Sequence, residues 1–180
     1  MNQNRIENKS HLLQYAMHAG IFLGAFWALN YLLLIFGQEN VMLMLLHIML
    51  KVGTPVLLFY FLKTYNERFV NNKISFWHGI QFSILLFFFG SILESLMVLV
   101  HVKWIDPLFL ITMSERAVTF FQTHNLDSQA FIEAAETLSN ISPFSYVFQN
   151  VIMGSVFVGF LLSLIIVPLV RRFKIVRHEP

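Results

Sequence analysis

The chain has 180 residues, 57% of them hydrophobic and only 12% charged, with a formal net charge of +2. Soluble domains carry about 25% charged residues, so this composition excludes an ordinary water-soluble domain and points to lipid. The lysines and arginines flank hydrophobic runs instead of interleaving with exposed aromatics, which excludes a nucleic-acid-binding surface, and the absence of cysteine excludes disulfide and thiolate chemistry.

Four apolar runs reach the roughly 20 residues that a bilayer crossing requires. They are Leu12–Phe36, Met42–Leu62, Gly79–Val100 and Tyr146–Val170, and together they predict an all-α, single-domain four-helix membrane bundle. The first run is too long for the apolar region of a cleaved signal peptide, about 7–15 residues, and no small-x-small cleavage site follows it. Lysine and arginine set the orientation. Arg5, Lys9, Lys63, Arg68, Lys73, Arg171, Arg172, Lys174 and Arg177 fall on one side, and only Lys103 and Arg116 on the other. The expectation is therefore a multi-pass membrane protein with both termini cytoplasmic. Tyr60, Tyr65 and Trp77 are placed as interfacial anchors inside, and Trp104 and Tyr146 outside.

In span one, Gly20, Gly24 and Ala28 recur every fourth residue. Comparable small-residue stripes are Gly79, Ser83, Ser91 and Ser95 in span three, interrupted by Phe87, and Ser155, Gly159 and Ser163 in span four. Such stripes let helices approach closely in lipid, either within the bundle or at a homo-oligomer face. The turn GQEN (Gly37–Asn40) makes spans one and two an antiparallel hairpin.

Span two contains LHIMLKVGTP, with Lys51 about nine residues, roughly 14 Å, from its outer end. A lysine at that depth is expensive without a partner. Glu94 is the only acid inside any span, and its depth matches the reach of the lysine stem. The expectation is an ion pair between Lys51 and Glu94, with His47, one turn outward from Lys51, hydrogen-bonded to it. Asn30, Gln149 and Asn150 enter at nearly the same level, so every span adds polar groups to one layer. That layer reads either as a register-fixing structural network or as a polar binding site formed by Asn30, His47, Lys51, Glu94 and Asn150. Pro55 frees the carbonyl of Lys51 and predicts a kink beside it.

The connection from His101 to Ser145 is long enough to require structure of its own. Asp106-Pro107 reads as the cap and first residue of one helix, and Asp127 as the cap of a second. Both are expected to lie outside the membrane, on the bilayer or over the bundle, with Phe109, Met113, Phe120 and Phe131 as candidate partner-binding residues. No metal-ligand cluster, phosphate loop, paired carboxylates or nucleophile–base spacing is present. No catalytic residue, metal or cofactor is therefore expected. The expected role is that of a non-enzymatic accessory or scaffold subunit engaging another membrane or envelope protein. The rival is a transporter, channel or ligand-binding protein that uses the polar layer.

The stretch ISFWHGIQFSILLFFFGSILESL, followed by WIDPLFLITMSERAVTFFQ, resembles the uncharacterised bacterial membrane family catalogued as domain of unknown function 4199. Its features are an F-x-x-G opening span three, an Asp-Pro, an amphipathic segment, and a last span with a basic tail. The resemblance implies a small four-span inner-membrane protein and carries no catalytic residues. A reporter active only outside the cytoplasm should give signal when fused at Asn125 and none at Asn71; the reverse would overturn the orientation.

Overall fold

A computed structural model describes residues 3–37, 40–124 and 129–172, with side chains from His11 onward. About 90% of it is helical, and no strand occurs among the described residues. Helix α1 spans Gln3–Phe36, α2 Val41–Lys51, α3 Gly53–Phe69 and α4 Phe76–Val100. A π-helical segment, His101–Ile105, extends α4. Then come α5 (Phe109–Thr123), α6 (Gln129–Asn140) and a short α7 (Pro143–Tyr146), from which a second π-helical segment, Val147–Met153, leads into α8 (Gly154–Arg172). Four stretches are long and apolar enough to cross a membrane: His11–Phe36, Val41–Phe69, Phe76–Ile105 and Pro143–Arg172. The protein is a multi-pass, four-span helical bundle.

The elements begin and end where their chemistry requires. Asn40 caps α2 by accepting from the Met42 and Leu43 amides at 3.0 and 3.4 Å. Ser75 caps α4 through the His78 amide. Between α3 and α4, Asn71 and Asn72 take the left-handed conformation, φ 49° and 59°, which asparagine tolerates better than most residues. Asn66 secures that turn by accepting from the Ile74 amide at 3.0 Å. At α5 the outcome differs from expectation. Asp106 does not cap it with its side chain. The helix starts at Phe109, because the Asp106 amide bonds back to the His101 carbonyl at 2.8 Å and finishes the π turn first. The expected Asp127 cap of α6 lies outside the described residues. Ser142 caps α7 by accepting from the Ser145 amide, with Pro143 in the first turn.

The parallel helices α1 and α4 form the closest pair. A Cβ on Gly24 would lie 2.4 Å from the carbonyl oxygen of Gly90, and one on Gly20 would lie 3.1 Å from that of Leu86. Gly159 of α8 makes room for Phe87, and Gly79 for Val167. These glycines of the small-residue stripes therefore pack the bundle internally. Buried side chains form two clusters. One, around Leu23, Leu58, Leu62, Tyr65, Phe82, Leu86 and Val167, fills the half nearer the α3–α4 turn. The other, around Tyr31, Val98, Val102, Leu110 and Val147, ties the α5 end to the bundle. Tyr65 belongs to the first cluster, not to the interfacial belt. Its side chain is 1% exposed and its hydroxyl shares a 2.8 Å hydrogen bond with His78 Nε2, whereas Tyr60 and Trp77 remain exposed.

Gly24→Ala should lower thermal stability in detergent by about 1–3 kcal/mol through overpacking. Gly154, where an added Cβ meets no closer atom than the Gln149 carbonyl oxygen at 3.9 Å, should accept alanine with a gain of up to about 1 kcal/mol. Equal effects at both positions would contradict this packing.

Candidate functional site

The two buried clusters do not meet. Between them, in the half of the bundle that carries α5, is a cavity of about 660 Å³. Asn30 of α1, His47 and Lys51 of α2, Glu94 of α4 and Asn150 of the second π-helical segment all line it. The structure thus gathers the polar residues of all four spans around one space. Gln149 is not among its lining residues.

Local backbone chemistry explains how each group arrives. Pro55 has no amide to offer the Lys51 carbonyl, and the helix breaks at Val52, between α2 and α3. The Val52 amide turns back to the Met49 carbonyl at 3.2 Å, so Lys51 ends a half-helix beside the opening. On α2 only His47 is buried, and its Nδ1–H donates to the Asn30 backbone carbonyl at 2.9 Å. This is a correction to the expected bond from His47 to a Lys51–Glu94 pair: α2 packs on α1, so the imidazole meets α1 first. Asn150 reaches the cavity from a segment whose closing bond runs from the Gly154 amide to the Gln149 carbonyl, five residues back. Such π turns shift side-chain phase and recur at functional sites.

Lys51 and Glu94 share the cavity without joining. Among the described residues the ion pair within 4.0 Å is Lys63–Glu67, on α3. Among the described residues neither side chain has a hydrogen bond or an ion pair within 4.0 Å. Helix placement accounts for the gap. Helix α2 packs against α1, and α4 against α1 and α8, while α2 and α4 barely touch, so their charged side chains face a common space. Asn30 is 4% exposed, yet its Oδ1 has no hydrogen-bond partner. A buried acceptor left unpaired costs about 1–3 kcal/mol.

Several contributors were not singled out from sequence. Trp27 donates its indole N–H to Thr54 Oγ1 at 3.0 Å across the cavity wall, tying α1 to the first turn of α3. Tyr31 and His101, both buried, share a 2.7 Å hydrogen bond, and the His101 ring packs edge-on against Phe109 at 4.9 Å. A histidine at a span end reads as interfacial; only its pairing with Tyr31, 70 residues earlier, distinguishes it. Tyr146 lines the cavity and is half-buried, while Trp104 is exposed as an interfacial anchor would be.

The four aromatic and methionine positions chosen on the excursion separate into two pairs. Phe109 and Met113 line the cavity from α5. Phe120 and Phe131 stay on the surface, 53% and 52% exposed, and Phe131 stacks on Phe121 at 5.2 Å to hold α5 against α6. Chemically the cavity offers one ammonium, one carboxylate, one imidazole and an unsatisfied amide between apolar walls. No group of three or more potential metal ligands occurs among the described residues.

Tyr31→Phe should destabilise the protein by about 1–3 kcal/mol by stranding the His101 ring nitrogen, and Tyr31→Phe with His101→Phe should recover much of that. Additive losses in thermal unfolding would show that the pair is not coupled.

Residues 18–172 match the family model described as Protein of unknown function (DUF4199). No curated protein and no solved structure matches the chain.

Proposed function

The chain belongs to that family, a family of proteins of unknown function, and from this starting point we propose that it is a non-enzymatic membrane protein that binds a small ligand in the cavity between its spans. The observation that carries this is the convergence of Asn30, His47, Lys51, Glu94 and Asn150 on one cavity of about 660 Å³. Ligand sites are commonly about 300–1,000 Å³, mostly apolar, with a few convergent polar groups. Ionisable residues at membrane depth that face a cavity are functional candidates by default. On the lysine and arginine asymmetry we assign both termini to the cytoplasm, so that the cavity lies in the outer half beneath α5.

A second reading is the accessory subunit that engages another membrane protein. The exposed Phe120 and Phe131 on the α5–α6 hairpin favour it.

Because the chain has no cysteine, single cysteines separate the two. Thr54→Cys and Ser155→Cys, which line the cavity, should react with a small water-soluble thiol reagent in membranes. Ser91→Cys and Ser163→Cys, in fully buried positions, should not. Gly154→Trp should fill the cavity and suppress labelling at position 54. Silence at both cavity positions in a folded protein would mean a closed, dry bundle and would favour the accessory subunit.

A further inference from the structure

Resting on the ligand-binding reading above, we propose that the ligand is a zwitterion: a primary ammonium and an anionic phosphate or carboxylate group on one small skeleton, with Lys51 receiving the anion and Glu94 the ammonium. Both charged side chains line one cavity, neither has a hydrogen bond among the described residues, and they stay more than 4.0 Å apart. An anionic ligand would answer Lys51 and leave Glu94 exposed to low dielectric; a cationic one would do the reverse. An occupant carrying both signs satisfies both, and its net charge of zero matches that of the pair. Lysine suits the anion, because its ammonium acts as a compact point charge toward phosphate or carboxylate.

The form of the cation follows from the carboxylate. Glu94 makes no hydrogen bond among the described residues. A primary ammonium carries three N–H donors that a carboxylate can accept. A trimethylammonium group carries none. The imidazole cannot fill this role with Nδ1, which is already committed to the Asn30 backbone carbonyl. Apolar side chains, including Leu34, Phe87, Val98, Val158 and Leu162, make up much of the remaining wall and suit an attached hydrocarbon. The same headgroup chemistry occurs on bilayer lipids and on free water-soluble zwitterions, so the probes must distinguish the two sources.

The test uses the full chain in uncharged detergent, with binding measured by calorimetry. The probes are dihexanoyl phosphatidylethanolamine, dihexanoyl phosphatidylglycerol, and glycerophosphoethanolamine, which has the headgroup and no tails. The ethanolamine lipid should bind roughly tenfold or more tighter than the glycerol lipid, as expected for one lost charge-assisted contact. Glu94→Gln should erase that preference by weakening the ethanolamine lipid alone, whereas Lys51→Met should weaken both lipids. Gly154→Trp, which fills the cavity and leaves both charges in place, should abolish binding and serves if the charge variants fail to fold. Tighter binding of the ethanolamine lipid than of glycerophosphoethanolamine would identify the bilayer as the source, and equal binding the aqueous phase; either supports the zwitterion. Equal binding of the two lipids, unchanged by Glu94→Gln, would overturn it. So would no binding of any probe while Ser155→Cys still labels, which leaves the cavity standing. Loss of labelling would instead remove the ligand-binding reading itself.

Discussion

Where Gly24 of α1 passes Gly90 of α4, the two backbones come so close that a single added carbon would lie 2.4 Å from a carbonyl oxygen. Lipid supplies no hydrophobic drive between helices, so contact of this kind holds a bundle together. It also sets the phase of everything beyond it. The two helices run in parallel, so residues the same distance past the crossing stay neighbours. Asn30 lies six residues past Gly24, and Glu94 four past Gly90, about 9 and 6 Å at the helical rise. Tyr31 and His101 then meet further along, and Phe109 closes over them. Widening the crossing would separate these pairs before it touched the cavity itself.

Three stretches of backbone depart from a regular α-helix, and two of them border the cavity. Helices α2 and α3 part at Val52, and π-helical turns occupy 101–105 and 147–153. Irregular backbone at membrane depth persists where it is packed in protein or lines a cavity. Lys51 stands at the first departure and Asn150 in the third, while the second carries His101 to its partner. Two of the cavity's polar side chains thus sit at irregular backbone, while Asn30, His47 and Glu94 reach it from regular helix.

Hydrophobic run length was enough to locate four spans, because lipid imposes it directly. The glycine positions in the stripes indicated packing faces, and Pro55 indicated the break. The polar layer could be seen because charges and amides stand out against leucine and phenylalanine. What depends on phase was not legible. No sequence signal separates a π turn from an α turn at Val147–Met153, and a one-residue shift there decides whether Gln149 or Asn150 faces inward. Whether Lys51 meets Glu94 or stands across a space from it depends on how closely α2 and α4 approach, which helix depth alone does not encode. Tyr65 and Tyr146 read as belt residues because aromatic identity and span-end position are ambiguous without the neighbours that bury them.

Helix α2 has 11 residues, of which only His47 is buried, and it presents Met42, Leu45, Ile48 and Met49 to its surroundings. Its other face packs on α1, where the imidazole bonds the Asn30 carbonyl. Since α2 is also one wall of the cavity, that wall is a single helix thick, with the cavity on one side and hydrocarbon on the other. Whatever enters the cavity is divided from lipid there by one layer of side chains.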